Sequence, residues 1–560
     1  MRFSKEWLRE NIALFIIITI GSIVRLVLIG SIPPGLNQDE ASIGYDAYAI
    51  LHYGIDRNGI HNPIHLIAWG SGQNALYAYF SIPFIYLLGL TPLTTRAVSI
   101  IFGIIGLLAF YYLVKRLFHN KHLALISLFL LVISPWHIMM SRWGLESNLF
   151  PSLVLLSVLL LLISYQRYKY FPVACGLFAL SLYAYGTAYF FIPVFLLLVL
   201  IYSLLYKKIQ LKQLIIGGIV FVILSLPIFL FVIMNRFKMS SIDLGLMTIP
   251  KLTGPPRVEQ VSSLFQENVL EQLLSNFKDV LILLTTQDDG HIWNALPPYG
   301  FLYFFCLPLL LVGLYYSFKN LKNKQWNPEI IMLIWFFSAV LMACITDVNI
   351  NRINIIYFPA IYFVARGLWA IKGLYQKIFI PIVLAFSLCF ISFIYDYFTK
   401  FPEQISSAFF ESLGDALEYA AEETDGKIAV TNEINMPYIF ALFYEKTDPH
   451  EFIDTVQYVN PGAAFQYVAS FGRYYFGDNY SSDPSIAALV IPNHQLSQYA
   501  NGNYQIKSFK HYSVAIRTGE PIDIEETPIS SETNLIENGG TAHRRMDLYR
   551  RSGSRNESYL

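Results

Sequence analysis

The sequence predicts a mainly α-helical, polytopic membrane protein. Hydrophobic residues make up 55% of its 560 residues and charged residues only 14%, against roughly 25% charged residues in soluble domains. Apolar stretches of about twenty residues recur along the chain, which is the length that a helix needs to cross a bilayer core of roughly 30 Å. The predicted architecture has about eleven transmembrane helices, a large first outer loop and a small C-terminal external α/β domain.

The positions of the basic residues orient these helices. Lys and Arg cluster at the N-terminus and in the short loops between alternate spans, and the positive-inside rule places these segments in the cytoplasm. The first span is too long for a signal peptide and lacks a small-residue cleavage site, so we predict a retained helix. The candidate spans are 11–30, 97–117, 122–140, 149–166, 171–187, 188–206, 213–233, 300–317, 329–346, 355–371 and 378–395.

The apolar stretch 75–90 is not counted among the spans. It is only about sixteen residues long and contains Pro83. Counting it would move every later basic loop to the outer side, so we predict an interfacial or partly inserted helix within one long outer loop, 31–96. A second large outer loop covers about 234–299.

The C-terminal part of the chain changes character. Residues 1–396 form the predicted membrane domain, and 397–518 are predicted to form the external domain. There "KIAVTN", "AALVIPN" and "YQIKSFKHYSVAIRT" have strand-like composition and 408–421 has a helical pattern. Residues 519–560 lack any apolar period, which is typical of a disordered tail.

An acidic pair, Asp39 and Glu40, follows a Pro-Pro-Gly turn at the end of the first span. The tyrosine-rich segment after it, "GYDAYAILHY", has helical spacing, and we expect a helix lying along the membrane face. The pair has two interpretations. It either takes part in catalysis or only places negative charge at a helix N-terminus, which favours such charge by about 0.3–1 kcal/mol.

Three further charged residues lie on the same predicted side. In "SRWGLESNLFP", Arg142 and Glu146 would share one face if the segment were helical; an exposed ion pair is the alternative. In "TDVNINRINIIYFP", Arg352 starts a late span, where a guanidinium suits a lipid phosphate and a snorkelling arginine is the alternative. Arg25, in the first span, is expected to snorkel.

His61 and His65 raise the question of a metal ion. Together with a carboxylate such as Asp39 they could hold a divalent cation, although ordinary hydrogen-bonded loop histidines are the alternative because no diagnostic ligand set is present. Asp288, Asp289 and His291 are expected to be solvated turn residues.

The acidic pair "DE", the stretch "LYAYFSIPFIYLLGL" and the loop "SPWHIMMSRWGLESNLFP" together resemble the GT-C membrane glycosyltransferases. The most similar branch is family 39, with the protein O-mannosyltransferases and the aminoarabinose transferases of lipid A. The resemblance implies transfer of a sugar from a polyprenyl-phosphate donor to an acceptor on the outer face of the membrane.

The same resemblance implies roles for individual residues. The first-loop acid of the family corresponds to Asp39, with Glu40 as the second member of the pair and Glu146 as the acid of the next short outer loop. Asp39 would act as general base in an inverting transfer, while Arg142 and Arg352 would neutralise the lipid phosphate. A lysine that some relatives carry before the "LY" is replaced here by Gln73, Asn74 and Ala75.

The predicted enzyme is therefore a hexosyl- or pentosyltransferase of a cell membrane, with its site and C-terminal domain outside the cell. Its partners would be the donor lipid and a glycan, lipid or protein acceptor. The balance of 39 basic and 39 acidic residues suggests no nucleic-acid partner, and the residue usage suits a bacterium. A lipid-linked glycan flippase and a non-catalytic membrane anchor for the external domain are the alternatives; charges at the outer edge rather than the midplane favour the enzyme.

Overall fold

The computed structural model describes residues 5–319, 325–478, 480, 483–499 and 503–519, with side chains described from residue 11 onward. The predicted tail lies outside these residues, apart from Gly519. Helices dominate up to residue 423, and a mixed sheet follows. The predicted fold class, a polytopic helical protein with a C-terminal sheet domain, is confirmed.

The membrane domain has a helix at every predicted span and further helices in the two predicted outer loops. These helices are α1 (Lys5–Leu26), α2 (Gln38–Tyr53), α3 (Leu76–Leu88), α4 (Pro92–Phe118), α5 (Lys121–Ile133), α6 (Pro135–Met140), α7 (Glu146–Ser164), α8 (Phe171–Ser181), α9 (Ala188–Leu205), α10 (Leu211–Arg236), α11 (Arg257–Val261), α12 (Val269–Thr286), α13 (Cys306–Lys319), α14 (Glu329–Ile345), α15 (Tyr357–Leu374) and α16 (Gln376–Thr399). Each predicted span overlaps one of these helices, and span 122–140 is divided between α5 and α6 at Ser134 and Pro135.

Length and composition allow six of the described helices to cross a membrane: α4, α7, α9, α10, α16 and the segment Asn354–Leu374 that ends in α15. Five shorter apolar helices accompany them, including α3 in the predicted first loop. Both the long and the short apolar helices carry exposed hydrophobic side chains, such as Val222 and Phe229 on α10. Such a surface is expected of a protein solvated by lipid.

Close helix contacts hold the bundle together at small residues. Gly313 of α13 and Gly367 of α15 each face the backbone of the other helix, and an added Cβ at either position would collide with a carbonyl. Glycine lets two helix backbones approach closely, so dispersion contacts replace the hydrophobic effect that lipid cannot supply.

The C-terminal domain contains α17 (Phe401–Ile405), α18 (Leu413–Glu423), α19 (Pro437–Glu445) and α20 (Pro449–Thr455). Two short hairpins precede it, formed by β1 (His65–Leu66) with β2 (Gln73–Asn74) and by β3 (Ile242–Asp243) with β4 (Thr248–Ile249). The strands of the main sheet are β5 (Lys427–Val430), β6 (Gln457–Tyr458), β7 (Val468–Phe471), β8 (Tyr474–Phe476), β9 (Ile486–Pro492), β10 (Tyr504–Ser508) and β11 (Tyr512–Arg517).

The main sheet has the strand order β10-β11-β9-β5-β8-β7-β6. β5 pairs in parallel with β8 and β9, and the other pairs are antiparallel. The strand patterns at β5, β9, β10 and β11 were readable in the sequence because those strands alternate or are fully apolar. No strand is predicted from the sequence at β6, β7 or β8, which have only two to four residues each.

The tyrosine-rich helix α2 does not lie along a membrane face, so that expectation was wrong. Most of its residues are buried, and it packs against α3, α4 and α19 of the C-terminal domain. Gly44 marks the tightest point, because a Cβ there would lie 2.7 Å from Phe443 and 2.7 Å from Thr95. Tyr45 is buried because the C-terminal domain covers it, which a helical period alone does not reveal.

Candidate active site

A cavity of about 500 Å³ lies at the end of the bundle that carries the C-terminal domain. Its walls come from segments far apart in sequence: the start of α2, the β1–β2 hairpin, the start of α7, the turn before α9, α11 and the loop 346–352. Of the predicted site residues, Asp39, Glu146, His65 and Arg352 line it. Glu40, Arg142 and His61 are not among its lining residues.

Asp39 stands at the first turn of α2, where the cap of the helix fixes the backbone. The Asn37 side chain accepts hydrogen bonds from the backbone N–H groups of Asp39 and Glu40 (2.8 and 3.2 Å). In turn, Glu40 Oε2 accepts a hydrogen bond from the Asn37 backbone N–H. This capping box satisfies donors that a helix start leaves open. It also directs the Asp39 side chain toward the cavity.

The environment of Asp39 sets its proton affinity. The Trp69 indole Nε1–H donates a hydrogen bond to Asp39 Oδ1 at 3.3 Å. Burial raises the pKa of the Asp39 carboxyl above its usual value; the Trp69 hydrogen bond and the charges of Arg257 and Arg57 act in the opposite direction, and Glu40 raises it further. A carboxylate with a raised pKa is better matched to accept a proton at neutral pH.

Glu146 is the second acid of the cavity. It is the first residue of α7, and its Oε2 accepts a hydrogen bond of 2.6 Å from the backbone N–H of Asn74 in β2. Its charge interacts unfavourably with that of Asp39, so the two carboxyl groups belong to one electrostatic site. The structure thus brings together two acids that lie more than one hundred positions apart in the sequence.

Two arginines supply positive charge to the same cavity. Arg352 is only 7% exposed and forms an ion pair with Asp347 at 3.3 Å. Arg257 lies above the Phe465 ring, with its guanidinium carbon 5.0 Å from the ring centroid. Burial and the neighbouring Arg352 lower the pKa of Arg257 to about 10, which leaves it cationic at neutral pH. A pair of guanidinium groups at a partly dry site suits a phosphate.

The loop that carries Arg352 is held by a residue that we expected to be a solvated turn. Asp289 Oδ2 accepts hydrogen bonds from the Ile350 backbone N–H at 2.9 Å and from the Asn294 amide at 2.7 Å. This carboxylate therefore fixes the backbone just before Arg352. The solvated-turn prediction is wrong for Asp289, while Asp288 is exposed as expected.

Glu40 faces away from the cavity. Its carboxylate binds Arg96 through both oxygens, at 2.8 and 2.9 Å, and also accepts the Gly144 backbone N–H at 2.8 Å. Both side chains are fully buried. The predicted catalytic role of Glu40 is therefore replaced by a structural one, since this ion pair joins α2, α4 and the segment before α7.

Arg142 also lies outside the cavity, so the structure does not bring it together with Asp39, Glu146 and Arg352 as the sequence predicted. The segment 141–145 is not helical, and Arg142 and Glu146 diverge. The Arg142 guanidinium instead donates to the backbone carbonyls of Val24, Arg25 and Ile32, at 2.9, 3.1 and 3.1 Å. It fastens the end of α1 to the chain before α7.

Arg25 does not snorkel. Its side chain is fully buried and donates to His137 Nδ1 at 2.7 Å and to the Gly21 carbonyl at 2.9 Å. A buried guanidinium can persist where several acceptors surround it. The snorkelling prediction was wrong because hydropathy describes one helix at a time, whereas the partner His137 lies in α6.

The two histidines do not form a metal site. His61 is exposed, whereas His65 is buried, stacks on Phe231 at 4.2 Å and hydrogen-bonds the Leu66 carbonyl. Burial lowers the pKa of His65 to about 4, so the ring is neutral. Within the described part of the chain, no group of three or more His, Cys, Asp or Glu side chains is arranged to hold a metal ion. These residues do not fit the predicted divalent cation.

Sequence reasoning missed Arg257, Trp69 and the contribution of the C-terminal domain. Arg257 follows a double proline in a loop without apolar period, and no local pattern distinguishes it from a solvated arginine. Asn435, Met436 and Phe465 of the C-terminal domain line the cavity, and the Gln466 N–H donates to the Trp69 carbonyl at 2.8 Å. The C-terminal domain is thus a wall of the site.

No protein-family model and no curated protein sequence matches this chain. Solved structures do. ArnT from Cupriavidus metallidurans bound to undecaprenyl phosphate matches with a TM-score of 0.52 and 11% identity, over 90% of this chain and 98% of that protein. The apo oligosaccharyltransferase of Archaeoglobus fulgidus matches with a TM-score of 0.51 and 13% identity, over 91% and 75% of the two chains.

A third match is the archaeal oligosaccharyltransferase AglB from the same organism, in complex with an inhibitory peptide and a dolichol-phosphate. Its TM-score is 0.50 at 12% identity, over 88% of this chain and 71% of that protein. At such identities the likeness concerns the fold, and membership of family 39 stays a prediction. The chain shares the fold of ArnT and of the archaeal oligosaccharyltransferase.

Proposed function

We propose that this chain is a glycosyltransferase that moves a sugar from a polyprenyl-phosphate donor to an acceptor. The observation that carries the proposal is the composition of the cavity: Asp39 and Glu146 meet Arg257 and Arg352 in one chamber of about 500 Å³. Transfer from a sugar phosphate needs these two kinds of group, a base for the acceptor and cations for the departing phosphate.

The roles follow from the chemistry of the step. The acceptor hydroxyl attacks the anomeric carbon, and Asp39 takes the proton of that hydroxyl. Because the attack is a single direct displacement, the configuration at the anomeric carbon is inverted. The bond between the anomeric carbon and the phosphate oxygen breaks, and the electron pair leaves with the polyprenyl phosphate. Arg257 and Arg352 stabilise the charge that develops on this phosphate. General-base assistance of this type is worth roughly 10² to 10⁴ in rate.

The fold supports the same proposal. ArnT, whose structure contains undecaprenyl phosphate, and AglB, whose structure contains a dolichol-phosphate, have this architecture. In this chain the cavity is also lined by Val232, Ile233 and Phe237 at the end of α10. Val232 and Phe237 are exposed hydrophobic residues, so an apolar tail could lie along α10 while its phosphate reaches the arginines.

The test is a transfer assay with the purified full-length chain in lipid nanodiscs. Undecaprenyl phosphates carrying radiolabelled hexoses or pentoses serve as donors, and released undecaprenyl phosphate is measured. We expect release by the wild type and by Asp288→Asn, whose carboxyl is exposed, and none by Asp39→Asn. Donor that stays intact but changes leaflet when the same protein is reconstituted in sealed liposomes would instead favour a flippase. Full release by Asp39→Asn would refute the assigned base.

A further inference from the structure

A buried chain of contacts leads from Asp39 away from the cavity. Trp69 donates its indole N–H to Asp39 Oδ1, and the guanidinium carbon of Arg57 lies 4.7 Å from the centroid of the Trp69 ring. Trp69 is 6% exposed and Arg57 is 1% exposed. A guanidinium over a tryptophan ring is a cation–π contact, which is stronger when both groups are buried.

Arg57 is held in this position by the same helix that carries Asp39. Its Nη2 donates to Ser42 Oγ at 2.6 Å and lies 3.6 Å from Asp46 Oδ2. Its backbone N–H donates to Asp46 Oδ1 at 3.2 Å. Asp39, Ser42 and Asp46 are separated by three and four residues, so they share one face of α2. Both ends of the contact chain are therefore anchored on one rigid element.

Arg57 is not among the residues that line the cavity, whereas Trp69 and Asp39 are. It therefore acts on Asp39, by contact through Trp69 and by its charge, and not on a substrate. The indole has a single polar donor, and that donor is used on Asp39. Fixing the plane of the ring fixes the position of this hydrogen bond, and with it the rotamer of the carboxylate.

We propose that Trp69 and Arg57 are positioning residues for the transfer reaction, with Trp69 holding the Asp39 carboxylate and Arg57 holding the indole that does so. This inference rests on the proposed role of Asp39 as base. It adds a function for Arg57, Ser42 and Asp46, which belong to no pattern that the sequence shows.

The electrostatic consequence is specific. Burial and Glu40 raise the pKa of Asp39, while Trp69, Arg257 and Arg57 lower it, and the Glu146 carboxyl across the cavity opposes its ionisation. Removing the Arg57 charge therefore raises the pKa of Asp39 further. A residue that only filled space beneath Trp69 would not change this titration.

The test measures protonation of Asp39 without using the reaction. The full-length chain in nanodiscs is treated with dicyclohexylcarbodiimide, which modifies protonated carboxyl groups, and modification of Asp39 is followed against pH by peptide mass spectrometry. We expect Arg57→Met to move the midpoint upward, because the variant removes a cation that opposes the raised pKa of Asp39. Arg57→Lys should restore part of the shift, and Trp69→Phe should also raise the midpoint.

The matched control is Arg366→Met, which removes another largely buried guanidinium, paired with Glu329, and should leave the Asp39 profile unchanged. In the transfer assay, Trp69→Phe should lower kcat roughly tenfold with little change in the KM for donor. An unchanged Asp39 profile in both Arg57→Met and Trp69→Phe would overturn the inference. If Arg57→Met does not fold, Trp69→Phe decides alone. Activity of Asp39→Asn would refute the role of Asp39 as base and leave the labelling result standing, whereas absence of transfer by the wild type would refute the proposed function.

Discussion

Asp39 and Glu40 are adjacent in the sequence, yet their carboxylates serve different parts of the structure. Asp39 lines the cavity and accepts the Trp69 indole N–H, while Glu40 is buried against Arg96 at 2.8 Å. Consecutive residues of a helix point about 100° apart, so one acid reaches the site and the other the packing between α2 and α4. Four predictions follow from this division and from the surrounding geometry.

Glu40→Gln should destabilise the protein strongly. The Arg96 guanidinium would stay buried without its counter-charge, and breaking a buried pair in this way costs roughly 3–5 kcal/mol. Thermal unfolding in detergent measures the loss. Glu259→Gln is the matched control, because its partner Arg236 is 56% exposed and such pairs contribute at most about 1 kcal/mol. Equal melting temperatures for the two variants would contradict a structural role for Glu40.

Arg257→Ala and Arg352→Ala should each weaken binding of undecaprenyl phosphate. A charge-assisted hydrogen bond contributes about 1.5–3 kcal/mol, so we expect a Kd about ten- to one-hundredfold higher. Equilibrium binding to the nanodisc-embedded chain measures this. Lys278→Ala, on the exposed side of α12, is the control and should bind like the wild type. Unchanged affinity in both arginine variants would remove these residues from the phosphate site.

The activity should fall on the acidic side at a higher pH than for an ordinary aspartate. Asp39 must be ionised to accept a proton, and its pKa lies above the usual 3.8 because burial opposes its charge. As pH falls through this raised pKa, the base is lost. The pH dependence of kcat/KM, which reports the pKa values of groups in the free enzyme, measures this acidic loss of activity. If kcat/KM fell only at or below pH 4, another group would be the base.

Gly44→Ala should weaken the contact between α2 and the C-terminal domain. The added methyl group would lie 2.7 Å from Phe443 and from Thr95, and overpacking of this kind costs about 1–3 kcal/mol. Gly218→Ala, at a position in α10 with nothing within 4 Å, makes the same substitution in open space and should be neutral or slightly stabilising. Thermal unfolding compares them, and a Gly44→Ala protein as stable as Gly218→Ala would contradict the tight packing.

The sequence by itself determined the helical membrane architecture, because the length and composition of an apolar helix are local properties. It also determined Asp39, Glu146 and Arg352 as candidates, since each stands at the end of an apolar stretch. It did not distinguish Asp39 from Glu40, or Arg142 from Arg257. These four assignments depend on which way a side chain points and on what other segment it meets.

Only the tertiary structure decided those contacts. Arg257 reaches the cavity because a loop without regular pattern folds back beside Arg352, and Trp69 reaches Asp39 because the β1–β2 hairpin returns to the start of α2. The C-terminal domain covers α2 and joins residues about four hundred positions apart, as in the hydrogen bond from the Tyr45 hydroxyl to the Thr447 carbonyl just after α19. Periodicity describes one element at a time, whereas a site is made where several elements meet.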